Sequence, residues 1–317
     1  MNKPLLSFVI PCYNEEENIG LLIAKVKDIL RDFEEKYRYE IIVIDNDSAD
    51  RSAEIVKQEC TRDKRVKLIV NSRNFGWIRS PYYALLQAKG DAVMLLAADF
   101  QDPPELIPQF IRKWEEGFKI VIGVKDESDE SALMFAVRKL YYHFIDKISS
   151  NKLFKNFTGF GLYDKKIITA LKSFDDPYPY FRGLISEVGF QKAVIHFRQP
   201  TRKRGISASN FYALYDVAML GITSYSKFPL RFATMVGFIM SGISFIIALV
   251  YLFLKLTYWY NFPAGNAPTV IGLFFIGSVQ LFFIGILGEY IGAIHTIVQK
   301  RPLVIEKERV NFDDSAE

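Results

Sequence analysis

Between Phe232 and Val298 the chain carries only two charged side chains, Lys255 and Glu289. A bilayer core about 30 Å thick is crossed by roughly 20 apolar residues in a helix. The region divides into two such runs, 232–256 and 269–293, joined by a short uncharged connector through Asn266-Ala267-Pro268. Tyr258, Trp259 and Tyr260 close the first run as an aromatic belt. Lys227 and Arg231 precede the pair, and Lys300 and Arg301 follow it. Positive residues on the outer flanks and none in the connector place both flanks in the cytoplasm. The pattern predicts a multi-pass protein of the inner (cytoplasmic) membrane, with its N-terminal domain and both termini cytoplasmic.

The preceding two-thirds of the chain reads as an ordinary globular mixture, so the protein is neither wholly soluble nor wholly membrane-embedded. The expected organisation is a domain over 1–225, a helical hairpin over 226–299 and a cytoplasmic tail over 300–317. Segments 131–149 and 210–225 alternate apolar and polar residues as surface-lying amphipathic helices do. A net charge of +4, thinly dispersed, argues against a nucleic-acid partner. Cys12 and Cys60 cannot build a disulfide framework and fit packed thiols in a reducing compartment. Three scattered histidines give no metal cluster. The opening run Leu5 to Pro11 is too short for a secretory signal.

Within the domain, short apolar runs alternate with helical segments. Leu5–Ile10, Glu40–Asp45, Val66–Val70, Asp91–Leu96 and Ile120–Val124 read as buried strands. Asn14-Glu15-Glu16-Glu17 offers a cap and acidic first turn for a helix to about Leu30; Ser52–Cys60 and Pro81–Ala88 read as further helices. This alternation predicts an α/β domain with a parallel sheet covered on both faces. Such sheets bind ligands at the carboxyl ends of their strands. Polar residues collect there: Pro11-Cys12-Tyr13-Asn14-Glu15, Asp45-Asn46-Asp47-Ser48-Ala49-Asp50, Ser72-Arg73-Asn74-Phe75-Gly76 and Asp99-Phe100-Gln101-Asp102-Pro103-Pro104-Glu105.

In this order and spacing the four motifs resemble the family-two glycosyltransferases of the GT-A (Rossmann-like) fold. More closely they are similar to the polyprenyl-phosphate glycosyltransferases and dolichol-phosphate mannose synthases. The resemblance extends through the two-helix hairpin to Gly288-Glu289-Tyr290-Ile291-Gly292 and Arg301-Pro302. It implies sugar transfer from a nucleotide sugar, a UDP-sugar foremost, to a polyprenyl phosphate, making a lipid-linked monosaccharide for glycan or cell-envelope assembly. Hexosyl and N-acetylhexosaminyl groups both remain open. Pro11, Tyr13, Asn14, Glu15, Asp45, Asn46 and Arg73 fall at its nucleotide positions. Asp45 can accept from a base N–H, Tyr13 can pack on base or ribose, and Arg73 can pair with the pyrophosphate. Asp99 and Gln101 fall where relatives hold Mg²⁺ or Mn²⁺, a hard ion shared with substrate phosphates. Arg202, Arg204 and Ser207 match the acceptor loop. Relatives are often homo-oligomers, and one is expected here on that ground alone.

Departures from the pattern cluster in the metal and acceptor regions. The acidic pair reads Asp45-Asn46, and the usual Asp-x-Asp reads Ala97-Ala98-Asp99. Thr158-Gly159-Phe160-Gly161-Leu162 stands for Gly-Asp-Phe-Arg-Leu, Ala208-Ser209 for Lys and an aromatic, and Lys125-Asp126 for Arg pairs. Two other readings therefore stand beside the transferase. One is an impaired homologue that binds nucleotide or lipid and scaffolds a glycan assembly complex. The other is a nucleotidyl or phosphoryl enzyme on the same fold. Asp102 reads as a structural cap, with the following prolines at a helix start.

Overall fold

The structure, a computed structural model, describes residues 3–125, 157–200, 219–224, 226–258 and 266–312. The segment 131–149, the loop with Arg202, Arg204 and Ser207, and 210–218 of the second amphipathic segment lie outside them.

Eight strands form one sheet: β1 (Leu5–Cys12), β2 (Arg38–Asp45), β3 (Val66–Asn71), β4 (Ala92–Leu95), β5 (Ile120–Lys125), β6 (Phe157–Asp164), β7 (Lys192–Phe197) and β8 (Glu306–Val310). Their order is β7-β5-β6-β4-β1-β2-β3-β8. The centre, β4-β1-β2-β3, is parallel, as the apolar runs predict. The sheet as a whole is mixed, because β6 runs antiparallel to β4 and β5, and β8 antiparallel to β3. Strand β6 (FTGFGLYD) carries two glycines and no continuous apolar run, so its sequence gives little strand signal.

Helices cover both faces: α1 (Ile19–Arg31), α2 (Ser52–Arg62), α3 (Gly76–Gln87), α4 (Ile107–Glu115), α5 (Lys165–Ser173) and α6 (Phe181–Glu187). In α1 the buried positions Ile19, Leu22, Ile23, Val26 and Leu30 fall at helical spacing and lock one face onto the sheet. It starts at Ile19 rather than near Asn14. The Glu15 carbonyl accepts from the N–H groups of Asn18 and Ile19, while residues 14–16 bond to the neighbouring loop instead. Helix α3 starts five residues before the predicted Pro81, which lies inside it. Its opening residue Gly76 has φ +85, a left-handed conformation that glycine adopts without steric cost.

The two apolar runs form α7 (Phe228–Thr257) and α8 (Asn266–Val298). Their mean hydropathies are 2.4 and 2.2, with none of either span buried against protein. Both are long and apolar enough to cross a membrane. At about 1.5 Å per residue, 30 and 33 residues exceed a 30 Å core, leaving their ends for the interface. Tyr290 Oη donates to the Ser226 carbonyl at 2.6 Å, tying α8 to the residues before α7.

After α8 the chain turns at Lys300 (φ 45) and returns to the domain. The segment expected as a tail supplies β8, which pairs with β3 from Leu68↔Val310 to Asn71↔Glu306. Tyr83 Oη donates to Glu306, Lys57 pairs with Glu308, and Asn311 Nδ2 donates to the carbonyls of Cys60 and Val66. The strand's charged, alternately exposed sequence EKERV suits an edge that must not recruit another strand.

At the end of the interior strand β6, Asp164 joins three elements. It accepts from Trp114 Nε1 on α4 at 2.9 Å, from Lys119 Nζ at 2.8 Å, and from the Lys166 N–H at the start of α5. Burial alone would raise this carboxyl, but the bonds from Lys119 and Trp114 outweigh it and hold Asp164 below the usual range. A depressed folded pKa stabilises the native state above the unfolded value, and that stability disappears as pH falls. Asp164→Asn should therefore cost about 1–3 kcal/mol at pH 7. In denaturant titrations at pH 7 and pH 3, the gap between variant and unaltered protein should close at the lower pH.

Candidate nucleotide and metal site

In-register pairing of Cys12 with Asp45, the last residues of β1 and β2, puts the candidate residues on one rim. Asp45 is 1% exposed. Its Oδ2 accepts from the Ser48 N–H at 3.0 Å, and its Oδ1 is buried with no hydrogen-bond partner. Burial, opposed by the bonds from Ser48, raises its pKa. A buried carboxylate oxygen without a donor is costly in isolation. The atom is suited to an N–H brought by a ligand. Tyr13, beside it at the end of β1, is exposed.

The β1–α1 and β2–α2 loops are zipped together by side chain to backbone bonds. Asn14 N–H donates to Ser48 Oγ, Asn14 Oδ1 accepts from the Ala49 N–H, and the Glu15 N–H donates to Ser52 Oγ. Asn14 (φ 54) and Asp47 (φ 64) take left-handed conformations at the two turns. Such strain persists only where surroundings enforce it. Glu15 is buried and accepts from Asn18 Nδ2 at 2.6 Å, and Pro11 sits within β1 opposite Ile44. These three residues build the rim rather than project from it.

Asn46 has all its side-chain capacity committed. Its Oδ1 accepts from Asn71 Nδ2 and from the Phe75 N–H, both at 2.9 Å. Its Nδ2 donates to Asn74 Oδ1 at 2.9 Å and to the Gly76 carbonyl at 3.3 Å. Asn46 thus pins the start of α3 to the ends of β2 and β3. A carboxylate there has no proton to give the Asn74 or Gly76 oxygens, so the amide answers to this local network. Arg73 lies beyond it, its guanidinium 4.1 Å from the Phe75 ring centre.

On the other side of the rim, after β4, Phe100 is left-handed (φ 60) and separates Asp99 from Gln101. Asp99 Oδ1 accepts from the Gln101 N–H at 3.1 Å. Asp102 turns inward and accepts from the Ala97 N–H at 2.9 Å, bracing the loop as a structural carboxylate. Burial pushes Asp102 up to about 7, against the pull of the Ala97 N–H and Lys125. Among the described residues no three His, Cys, Asp or Glu side chains converge as a metal cage. One carboxylate and one amide oxygen still suit a hard ion that draws its other ligands from water and phosphate.

The Gly159 and Gly161 substitutions have a packing counterpart. A Cβ at Gly161 would lie 2.7 Å from the Val121 carbonyl and 2.8 Å from Tyr163 Oη. The fully buried Tyr163 donates to the Gly159 carbonyl at 2.7 Å, occupying space that larger side chains would need. Both cysteines are buried; burial, with Asp45, keeps Cys12 protonated, and burial raises Cys60 to about 11.

The model of glycosyl transferase family 2 matches residues 7–171. The chain belongs to that family. Its matched part spans the parallel centre, the Asp45 pocket and the Asp99 loop. Among family 2 relatives, the SfII prophage-derived bactoprenol glucosyl transferase of Shigella flexneri is 34% identical over 96% of this chain and 97% of its own length. A prophage bactoprenol glucosyl transferase homolog of Escherichia coli (strain K12) is 32% identical over 95% of this chain and 98% of its own. An uncharacterized glycosyltransferase of Synechocystis is 32% identical over 95% of this chain and 94% of its own. These alignments take in the hairpin as well as the catalytic fold.

Asn46→Asp would remove two donors and set a second carboxylate beside the buried Asp45. We expect it to lower stability by about 1–3 kcal/mol, read as a fall of several degrees in the thermal midpoint of the purified full-length protein.

Proposed function

We propose that this family 2 glycosyltransferase moves one sugar from a nucleotide sugar, foremost a UDP-sugar, to a polyprenyl phosphate at the cytoplasmic membrane face. The observation that carries the reading is the near end-to-end match to bactoprenol glucosyl transferases, hairpin included. It also favours glucose over other hexoses and N-acetylhexosamines. In this reading both chain ends lie in the cytoplasm, and the hairpin holds the site where a lipid phosphate emerges.

The Asp45 Oδ1 accepts a base N–H, Tyr13 packs against base or ribose, and Arg73 faces the diphosphate. Asp99 and Gln101 would hold Mg²⁺ or Mn²⁺, which neutralises the departing diphosphate. The acceptor phosphate oxygen is already anionic. It bonds to the anomeric carbon as the carbon–oxygen bond to the diphosphate breaks, with no proton to remove. Catalysis then depends on positioning and charge neutralisation. Arg202, Arg204 and Ser207 are assigned to the acceptor phosphate by motif alone.

Purified protein incubated with radiolabelled nucleotide sugars and undecaprenyl phosphate should move label into the organic-extractable lipid, with EDTA abolishing transfer. Retained nucleotide binding without any lipid product would favour the scaffold reading. Asp99→Ala should cut turnover at least a hundredfold while leaving the thermal midpoint unchanged. Full activity in that variant would remove Asp99 from the metal site.

A further inference from the structure

Arg79, near the start of α3, is the most conspicuous cation that the nucleotide and metal sites leave unused. Its Nη2 donates to the Pro302 carbonyl, four residues beyond the end of α8, and its Nε is buried without a hydrogen-bond partner. Arg73 and Arg79 both lie over the Phe75 ring, at 4.1 and 5.3 Å from its centre. Arg301, on the returning segment, adjoins Pro302, whose carbonyl Arg79 holds. Burial and the neighbouring cations Arg73 and Arg301 depress Arg79, opposed by the Tyr178 hydroxyl, and among the described residues no carboxylate pairs with it. By contrast, Arg65 on the opposite end of the sheet is paired with both Asp63 and Glu34.

Like charges gathered without a counter-ion raise the energy of the empty site and reward an anion that enters it. Guanidinium groups suit phosphate oxygens, which they bind in paired, planar fashion. The location narrows the anion further. Phe75 is fixed to the rim through Asn46, next to Asp45. Arg301 lies three residues past the end of a candidate membrane span, at headgroup depth if α8 crosses the bilayer. We propose that Arg73, Arg79 and Arg301 form a phosphate-binding site at the junction of the sheet rim and the returning membrane segment. Its ligand is a terminal phosphate or diphosphate. Arg73, assigned above to the donor diphosphate, lies where this site meets the nucleotide's, and position beside α8 favours a lipid phosphate at Arg79 and Arg301. Only the natural ligand's identity rests on the glycosyltransferase reading.

The test measures binding rather than turnover, so it stands even if sugar transfer fails. Full-length protein in phosphatidylcholine nanodiscs is titrated with UDP and inorganic pyrophosphate, and in parallel with nanodiscs containing undecaprenyl phosphate. Arg79→Gln and Arg301→Gln should each weaken binding at least tenfold. Loss for undecaprenyl phosphate alone identifies the lipid source; loss for UDP and pyrophosphate identifies the soluble one. Unchanged affinity for all three probes overturns the site. Arg301 makes no hydrogen bond or ion pair among the described residues, so its substitution leaves the fold intact. Arg79→Lys keeps the charge and should retain most of the affinity lost in Arg79→Gln. Equal loss in both would reduce Arg79 to a brace for Pro302 and overturn its role as an anion ligand.

Discussion

The register of the four central parallel strands is the constraint from which the site follows. With β4, β1, β2 and β3 side by side and pointing one way, four loops emerge along a single rim. Hydrophobic burial on both faces of β1 and β2 fixes that register. A slip of one residue would turn every apolar side chain to the opposite face. The orphaned Asp45 oxygen and the left-handed turns at Asn14, Asp47 and Phe100 sit at this edge, above the buried core.

Polar networks then divide the rim into parts that hold and parts that face outward. Asn46, Glu15 and Asp102 are spent on neighbouring protein groups, whereas Asp45, Tyr13 and Arg73 keep capacity for a ligand. The division matters because buried polar groups are costly unless they are paired. A loop residue whose bonds are all satisfied within the protein has little left to offer a substrate. The loop after β4 follows the same logic: Asp102 anchors it to Ala97, so that Asp99 and Gln101 can be presented.

Much of this was legible in the sequence where the signal is local. The apolar strands β1 to β5, the hairpin, and Asp45 and Asp99 at strand ends follow from periodicity and position. Strand β6 was not legible, because its glycines and scattered apolar residues carry no run. Strand β8 was hidden because alternating charges read as a solvated tail, and its partner β3 lies far back in the chain. The start of α1 shifted because the polar residues that resemble a cap bond across to the next loop. The segment from Pro81 sits in α3 as expected, with the proline inside the helix. The commitment of Asn46 depends on four groups within residues 71–76, from the end of β3 to the start of α3, brought to it by the pairing of β2 with β3, which no spacing rule displays.

Strand β8 gives the chain a particular order of assembly. The sheet cannot gain its last strand until the two long apolar helices have been made, since they lie between β3 and β8 in the chain. During synthesis the outer edge of β3 therefore stays open until the hairpin has been made. Closing a loop of this length costs roughly eight times the thermal energy in its logarithmic part, little more than a loop half as long. The turn at Lys300 and the bond from Tyr290 Oη to the Ser226 carbonyl carry the returning segment back to the domain. Completion of the sheet thus reports that the hairpin has been made, and a chain stopped short of β8 leaves an unpaired strand edge.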